Sequence, residues 1–268
     1  MSEAQLFVAT TFTEIYERML VGPLFRPFAE QLIDRVALNQ GDTVIDVACG
    51  TGIVARVARE RLGPEARIVG VDVAPAMLAV ARTVEPTIDW REGNAVALPV
   101  SAGETFTVLT CHQGLQFMPD KPAAAREMRR VLAPGGRAAI ASWCPLEELP
   151  GMRDLNAIVE RHVGPVVDSR HSFGDAGAMK QLLVDAGFND VNVSVLAHDV
   201  EFADSALFAR LNAMAVIGMS DTGKAMSEAE RGELAGRIAA ESADAIARAT
   251  RNGVFTLPLT STMATATA

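Results

Sequence analysis

Cysteine, tyrosine and tryptophan are scarce in this chain of 268 residues, which contains 3, 1 and 2 of them. The cysteines, Cys49, Cys111 and Cys144, are odd in number and widely spaced, so the sequence predicts neither a disulfide framework nor a zinc site. The histidines show no metal-binding spacing such as H-E-x-x-H, and we expect no metal. These absences are typical of a protein from a reducing compartment.

The chain also lacks an excess of positive charge and long apolar runs. The 24 Lys and Arg against 33 Asp and Glu give a net charge of −9, which argues against a surface for nucleic acids or anionic membranes. No run approaches the roughly 18 apolar residues that a membrane span needs, and the N-terminal stretch lacks the basic region of a signal peptide. We therefore expect a cytoplasmic protein with a small-molecule partner. The oligomeric state stays open.

Strand and helix patterns alternate regularly between about residues 43 and 143. Short apolar runs such as TVIDVA and RIVGVDVA are separated by amphipathic stretches such as GIVARVARERLG. This interval predicts right-handed crossovers and a parallel sheet. The cofactor-binding core is expected at about 35–145.

The rest of the chain does not continue this alternation of strand and helix patterns. The first ~40 residues predict two helices with a break at Gly22-Pro23, because this pair punctuates helical patterns. Two further helical stretches interrupt the strand patterns after the core. Together these excursions indicate one domain, 1–268, with a helical cap that carries the substrate elements. The expected cap segments are 1–30, 145–170 and 205–250.

The stretch VIDVACGTGIVAR contains an apolar strand, an acid, a glycine turn and a helix start. Gly50, Gly52 and Ala55 satisfy the G-x-G-x-x-G/A fingerprint of a dinucleotide site. Asp46 argues against that interpretation, because its carboxylate would repel bound phosphates at a cost on the order of several kcal/mol. The ammonium and sulfonium of S-adenosylmethionine would be attracted instead. Asp72 ends the next strand, where a carboxylate can accept both ribose hydroxyls of either cofactor.

Five motifs in order then carry a family resemblance. DVACGTG, GVDVAPAML, REGNAVALP, VLTCHQGLQFMPD and EMRRVLAPGGRAAIASW, over about 44–143, resemble the motif series of class I S-adenosylmethionine-dependent methyltransferases. Within that family, the chain is similar to the ubiquinone and menaquinone C-methyltransferases and to bacterial small-molecule methyltransferases. LLVDAGFNDVNV extends the resemblance to a sixth strand. The family implies a Rossmann-like α/β fold with a seven-stranded, mostly parallel sheet in the order 3-2-1-4-5-7-6 and helices on both faces.

The resemblance also implies which residues hold S-adenosylmethionine and its product S-adenosylhomocysteine. Asp46 would face the ammonium, and Cys111 would offer its backbone carbonyl rather than its thiol. Asn94 stands where an acid is frequent in the family, but its amide can still accept a hydrogen bond from adenine. Tyr16 and Met77 fit a core position as well as a cofactor contact. The implied cofactor set is Tyr16, Asp46, Ala48, Gly50, Gly52, Asp72, Val73, Met77, Asn94, Ala95, Cys111 and Gln116.

His112, Gln113 and Met214 are expected on the acceptor side. His112 is either a general base or a positioning group in the pocket wall. Met214 lies in the apolar run RLNAMAVIGM, which fits a helix core or the ceiling of a pocket. The resemblance thus implies methyl transfer to a small, apolar or aromatic acceptor at O, N or C. Two alternatives are an S-adenosylmethionine-binding enzyme of another reaction type and an NAD-dependent reductase using the same glycine turn.

Overall fold

The computed structural model describes residues 11–268, and its central feature is a twisted, mostly parallel sheet. The strands are β1 Val44–Val47, β2 Ile68–Asp72, β3 Asp89–Glu92, β4 Phe106–His112, β5 Leu132–Trp143, β6 Asn189–Phe202, β7 Thr250–Arg251 and β8 Val254–Thr267. Their order is β3-β2-β1-β4-β5-β8-β6, with the short β7 paired to β8 beside this path. The pairings among β1 to β5 are parallel, and β8 runs antiparallel to β5. The expected order is confirmed. The additional β7 turns the expected seventh strand into β8.

Helices connect the strands as the sequence pattern predicts. Their bounds are α1 Phe12–Tyr16, a π-helix Glu17–Phe25, α2 Arg26–Val36, α3 Ile53–Leu62, α4 Pro75–Val84, α5 Lys121–Arg130, α6 Pro150–Val163, α7 Ala176–Asp185, α8 Ser205–Met219, α9 Asp221–Lys224, α10 Glu228–Glu241 and α11 Ala243–Ala249. Short 3-10 turns occupy Leu115–Phe117, Leu146–Glu148 and Ser169–His171. Within residues 11–268 no helix is both long and apolar enough to cross a membrane.

The expected helix break at Gly22-Pro23 is wrong. The chain stays helical from Phe12 to Val36, and residues Glu17–Phe25 form a π-helix with Pro23 inside it. In an α-helix the proline ring would clash with the carbonyl four residues earlier, and the wider π turn relieves that clash. The first ten residues of the expected cap segment 1–30 lie outside the described residues.

The described chain forms two compact units. Unit 1 comprises the described residues through Trp143, together with Phe173–Leu196 and Ser261–Ala268. Its core is formed by side chains of the sheet and of helices α5 and α7. It includes Ile45, Val71, Leu109, Met128, Ile140 and Met179, all nearly or fully inaccessible to solvent. Burial of such aliphatic side chains stabilises a fold by about 1.5–3 kcal/mol each.

Unit 2 comprises Cys144–Ser172 and Ala197–Thr260. It has an apolar core of its own, formed mainly by α6, α8 and α10, with Val159, Ala213, Val216, Ile217, Ala235 and Ile238 buried. The expected cap segments 145–170 and 205–250 fall in this unit. Their role as a cap over the site, and the single functional domain 1–268, stay predictions.

The parallel strands of unit 1 bring several polar side chains to one edge of the sheet. Asp46 is the third residue of β1, where it pairs in register with Gly70 of β2 and Thr110 of β4. Asp72 is the last residue of β2, and His112 is the last residue of β4. The carboxyl ends of parallel strands are where α/β folds bind their ligands. This edge is therefore the candidate site.

Candidate functional site

The turn after β1 adopts the left-handed backbone conformation at three positions. Ala48, Gly50 and Gly52 have φ angles of 57°, 56° and 88°. This conformation is easy for glycine and unfavourable by about 1–2 kcal/mol for alanine. A Cβ placed on Gly50 would meet no atom within 4 Å, so the backbone of Gly50 borders open space. The turn therefore offers a ligand close access to the main chain at Gly50.

Gly52 is required for a different reason, which the sequence did not indicate. A Cβ placed on Gly52 or on Gly70 would overlap the indole ring of Trp90. The Trp90 side chain is buried, and its Nε1 donates a hydrogen bond to the carbonyl of Glu85 at 2.8 Å. The ring thus packs against Gly52 of the turn and Gly70 of β2, and this packing holds the turn in place.

The turn that follows β4 also packs closely on the glycine turn. A Cβ on Gly114 would overlap the methyl group of Ala48. Only one of these two positions has room for a side chain. The two turns therefore interlock at the edge of the sheet.

The Asp72 carboxylate joins the turns that follow β1 and β2. Its Oδ2 accepts a hydrogen bond from the Gly50 N–H at 2.7 Å, and its Oδ1 accepts one from the Ala74 N–H at 2.8 Å. Each carboxylate oxygen can accept a second hydrogen bond. Asp72 can thus hold the turn and still accept two ligand hydroxyls, as its predicted role toward ribose requires.

Asp46 is a buried carboxylate with only part of its bonding capacity used. It is 1% exposed, and its Oδ1 accepts a hydrogen bond from the Thr110 hydroxyl at 2.8 Å. The other oxygen, Oδ2, is buried without a hydrogen-bond partner among residues 11–268. The pKa of the carboxyl is raised to about 7, first by burial; the Thr110 hydroxyl and the Ala55 backbone N–H oppose that effect, and the Asp72 carboxylate adds to it. Asp46 therefore favours a cation nearby.

The carboxyl ends of β2 and β3 present the surface predicted to contact adenine. Val73 is 67% exposed, and Met77 on α4 is half-buried. The Asn94 Oδ1 accepts a hydrogen bond from the Val96 N–H at 3.1 Å, which leaves the Asn94 amide hydrogens for other partners. Ala95 packs against the core of unit 1. An exposed apolar surface beside polar backbone suits a planar heterocycle.

Tyr16 lies on the N-terminal helix α1, half-buried and beside Phe25, with ring centroids 5.2 Å apart. Burial raises the pKa of the Tyr16 phenol above its ordinary range, and the carboxylates of Glu17 and Asp72 add to the shift. The Tyr16 phenol is thus within electrostatic reach of the Asp72 carboxylate. Its contact with the cofactor stays a prediction.

Cys111 is fully buried in β4. The pKa of its thiol is raised to about 12, first by burial and then by the Asp46 carboxylate. A thiol of that pKa is not a nucleophile at neutral pH. This agrees with the expectation that any role of Cys111 lies in its backbone carbonyl.

His112 is buried, and one of its ring nitrogens has no hydrogen-bond partner in the described part of the chain. The residue is 8% exposed, and this nitrogen is Nε2. Burial lowers the pKa of the imidazole to about 3, so the ring is neutral at physiological pH. The Phe25 ring meets it edge to face, with centroids 6.2 Å apart. Of the two predicted roles, this environment favours positioning over proton abstraction.

Gln113 and Gln116 belong to a closed ring of buried hydrogen bonds. The Gln113 Nε2 donates to the Ser261 hydroxyl at 3.0 Å, and the Gln116 Nε2 donates to the Gln113 Oε1 at 3.2 Å. The Ser142 hydroxyl donates to the Gln116 Oε1 at 3.1 Å, and the Ser261 hydroxyl donates to the Ser142 carbonyl at 3.0 Å. This ring holds Gln113 in a left-handed conformation with φ of 57° directly after His112. It ties the carboxyl ends of β4 and β5 to the middle of β8.

Met214 lies in α8 of unit 2 and packs, partly buried, against the apolar core of that unit. This position matches the helix-core interpretation of its sequence. A contact of Met214 with the acceptor stays a prediction. In the described part of the chain no cluster of three or more His, Cys, Asp or Glu is placed to hold a metal ion.

The sequence analysis missed several residues that shape the site. Thr110 binds the Asp46 carboxylate, and Trp90 supports the glycine turn. Phe25 lies beside His112 and also contacts Trp143, with ring centroids 6.2 Å apart in each pair. Most of their contacts are with residues distant in sequence, and no local motif indicates them. The one available signal was the concentration of scarce aromatic residues in the first helices and at the ends of strands.

The carboxylates and the open backbone at this edge fit S-adenosylmethionine. The unpaired Asp46 Oδ2 suits an ammonium, the free acceptor capacity of Asp72 suits two hydroxyls, and the open face of Gly50 allows close approach. A dinucleotide pyrophosphate would bring negative charge to a carboxyl that is already difficult to ionise. The geometry therefore supports the cationic cofactor over NAD.

Comparisons with known proteins agree with this geometry. The family model described as a methyltransferase domain matches residues 44–136. The chain is 40% identical over 139 residues to a 2-phytyl-1,4-naphtoquinone methyltransferase of Thermosynechococcus vestitus, covering 51% of this chain and 61% of the relative. It is 34% identical over 200 residues to the nocamycin O-methyltransferase of Saccharothrix syringae, covering 66% of this chain and 69% of the relative.

A solved structure is similar in fold. The phosphoethanolamine N-methyltransferase 2 of Haemonchus contortus, in complex with S-adenosyl-L-methionine, aligns with a TM-score of 0.57 and 16% identity. The alignment covers 99% of this chain and 57% of that chain. At this identity the likeness concerns the fold alone.

Proposed function

Because the chain belongs to the class I S-adenosylmethionine-dependent methyltransferase family, we propose that it transfers the methyl group of S-adenosylmethionine to a small, apolar or aromatic acceptor. One observation carries the proposal. The buried Asp46 carboxyl keeps Oδ2 without a hydrogen-bond partner in the described part of the chain, next to the glycine turn, and a cationic ligand there would be favourable. The cofactor binds this edge of the sheet, and the acceptor binds beside His112.

The residues of unit 1 divide the binding task. Asp46 holds the ammonium group, Asp72 accepts from the ribose hydroxyls, and Gly50 permits close approach of the ligand to the backbone. Met77 and Val73 offer an apolar surface to adenine. When bound, S-adenosylmethionine supplies an electrophilic methyl group on a positively charged sulfur.

The chain contributes alignment and exclusion of water rather than acid–base chemistry. His112 stays neutral in its buried position, so its Nε2 is available for a hydrogen bond to a polar atom of the acceptor. The ring of hydrogen bonds through Gln113 fixes the backbone that carries His112. Correct alignment in a dry site can supply a large part of a displacement barrier, on the order of 7–11 kcal/mol.

The class of acceptor follows from two lines of support. Phe25 contacts both His112 and Trp143, and aromatic surfaces favour planar apolar molecules. Relatives carry the names naphtoquinone methyltransferase and O-methyltransferase. We therefore take a dihydroxyaromatic compound as the model acceptor. The net charge of −9 supports a small molecule over a nucleic acid.

The first experiment measures binding. Isothermal titration calorimetry with S-adenosylhomocysteine and, in parallel, with NADH compares the two cofactor classes on the same protein. We expect S-adenosylhomocysteine to bind in the micromolar range or tighter and NADH to give no heat above dilution. NADH binding without S-adenosylhomocysteine binding would replace the proposal with the reductase alternative.

The second experiment measures transfer. The protein is incubated with methyl-labelled S-adenosylmethionine and 1,4-naphthohydroquinone or catechol, and label in the organic phase is identified by mass spectrometry as O- or C-methylation. We expect label in the aromatic product, with Asp46→Asn as the inactive control. Tight cofactor binding with no transfer to any acceptor of this class would favour an S-adenosylmethionine-binding enzyme of another reaction type.

A further inference from the structure

Phe25 lies at the centre of the aromatic contacts on the acceptor side. Its ring centroid is 5.2 Å from that of Tyr16 and 6.2 Å from those of His112 and Trp143. The Phe25 side chain is itself only half-buried. A half-buried phenylalanine between three other rings is available to a ligand on its open side.

The π-helix Glu17–Phe25 determines where this ring lies, because Phe25 is its last residue. At the other end, the Glu17 carboxylate forms a two-bonded ion pair with Arg56 of α3, at 2.9 and 3.1 Å. The segment is thus anchored to the helix that follows the glycine turn. π-Helices are rare and frequently occur at functional sites. Here the π-helix carries the ring to the imidazole of His112.

The surroundings of His112 contain no charged group that acts on it. Burial alone accounts for its lowered pKa, with no contribution from a charged side chain in the described residues. The Cys111 thiol precedes it in β4, and the Tyr16 phenol lies beyond Phe25; burial raises the pKa of each, so both groups are neutral. The protonation of His112 therefore depends on what keeps water away from its ring.

We infer that Phe25 is a specificity-determining residue of the acceptor site, which rests on the proposed function. Its ring shields the His112 imidazole from water and, supported from behind by the buried Trp143, provides the aromatic surface against which a planar acceptor packs. The His112 Nε2 then binds a polar atom of that acceptor. No local sequence motif points to Phe25, since it follows a Gly-Pro pair that resembles a helix break.

The physical basis of the selectivity is the geometry of aromatic contact. Edge-to-face and offset ring pairs are favourable at centroid distances of about 4.5–7 Å, and they require a flat partner. A leucine at position 25 would keep the apolar volume but lose this geometry. An alanine would also admit water to the imidazole. The two substitutions therefore separate ring stacking from exclusion of water.

The first test needs no acceptor. Histidine-labelled protein is titrated by NMR, and the His112 signal is assigned by its absence in His112→Gln. We expect the wild-type signal to stay in the neutral form above pH 4, and the Phe25→Ala signal to titrate at least one pH unit higher, toward the ordinary value of about 6.5. Phe12→Leu, an exposed ring on the same helical stretch, is the control and leaves the signal unchanged. An unshifted His112 in Phe25→Ala overturns the shielding role.

The second test measures selectivity by kcat/KM for 1,4-naphthohydroquinone against its fully saturated diol analogue. We expect Phe25→Leu to reduce the preference for the planar acceptor at least tenfold, mainly through KM, with S-adenosylhomocysteine affinity unchanged. Equal preference in wild type and Phe25→Leu overturns the inference while leaving the proposed function intact. If wild type transfers no methyl group to either compound, the proposed acceptor class fails instead, and the NMR result still decides the shielding role.

Discussion

Glu17 and Arg56 form a two-bonded ion pair that links the N-terminal helical stretch to the helix after the glycine turn, with N–O distances of 2.9 and 3.1 Å. Both side chains are mostly buried, at 17% and 16% exposure. Hydrogen bonds between charged groups in such surroundings contribute about 1.5–3 kcal/mol. The pair therefore couples the segment that ends in Phe25 to the cofactor turn.

We predict that Glu17→Gln lowers the free energy of unfolding by about 1–3 kcal/mol, because Arg56 keeps its position but loses its countercharge. Urea unfolding measures this change. Asp34→Asn is the matched control, since it breaks an exposed ion pair with Arg61 and should change stability by less than about 0.5 kcal/mol. Equal effects of the two variants would show that the Glu17 pair has no special role.

A second prediction concerns Asp46 and pH in the absence of cofactor. Its folded pKa of about 7 lies above the unfolded value of about 3.9, so the folded state holds a proton that the unfolded state releases. Stability therefore falls as pH rises from about 4 to about 7 and is constant above. Asp46→Asn should remove this fall, which thermal unfolding across pH detects. The exposed Glu65→Gln should leave the pH dependence as in wild type.

The same carboxyl makes cofactor binding pH-dependent. A cationic ligand prefers ionised Asp46, so the affinity for S-adenosylhomocysteine should rise by about fivefold to tenfold between pH 6 and pH 8. Calorimetry in buffers of different ionisation enthalpy should also detect proton release on binding below pH 7. A flat affinity profile in wild type would remove Asp46 from contact with the ammonium.

Asp72→Ala should weaken S-adenosylhomocysteine binding about tenfold or more, because buried ribose hydroxyls lose their acceptors at a cost of roughly 1–3 kcal/mol. The substitution also removes the bonds from the Gly50 and Ala74 N–H groups, so thermal unfolding is measured alongside calorimetry. Asp72→Asn keeps one acceptor oxygen and should lose less. The control is Glu92→Gln, an exposed acid at the register position beside Asp72. Unchanged affinity in Asp72→Ala would refute the ribose role.

For His112→Gln we expect a higher KM and altered acceptor choice with kcat within about threefold of wild type, because the residue positions the acceptor. The wild-type rate profile should show no ionisation of a base between pH 6 and 7. A loss of about 100-fold in kcat, together with a wild-type rate that falls below pH 6–7, would identify His112 as the general base.

The capping role is tested by hydrogen exchange. Cofactor with acceptor should slow amide exchange in 1–30, 145–170 and 205–250 if these segments close over the methyl group. Exchange in α5, Lys121–Arg130, serves as the internal reference. Exchange that is unaltered in all three segments contradicts the cap.

Local sequence patterns were sufficient for the sheet and for the cofactor edge. The apolar run before Asp46, the glycines of the turn and the acid that ends β2 each have a local physical cause, so their positions could be predicted. The contacts around His112 could not. Phe25 reaches it from a helix that the sequence does not predict, because the Gly22-Pro23 pair indicates a break there. The π-helix accommodates that proline within the tertiary packing.

The hydrogen-bond ring of Gln113 illustrates the same limit. Its partner Ser261 is 148 residues away and belongs to β8, whose pattern of small and β-branched residues predicts a strand but not its partners. Pairing of β8 with β5 places Ser261 opposite Trp143. Such juxtapositions depend on the assembled sheet rather than on any segment alone.

The interlocking turns at Ala48 and Gly114 have an evolutionary consequence. Because a Cβ on Gly114 would overlap the Ala48 methyl, a mutation at position 114 is harmful while position 48 carries a side chain. Position 48, with φ of 57°, accepts glycine readily, and position 114, with φ of −114°, then accepts alanine if the Cys111 Sγ, 3.3 Å from the added Cβ, shifts by a few tenths of an ångström. The order of mutations therefore matters: Ala48→Gly opens a path to Gly114→Ala that is closed in reverse. The two positions should vary as a pair, an instance of sign epistasis that arises from the volume of one methyl group.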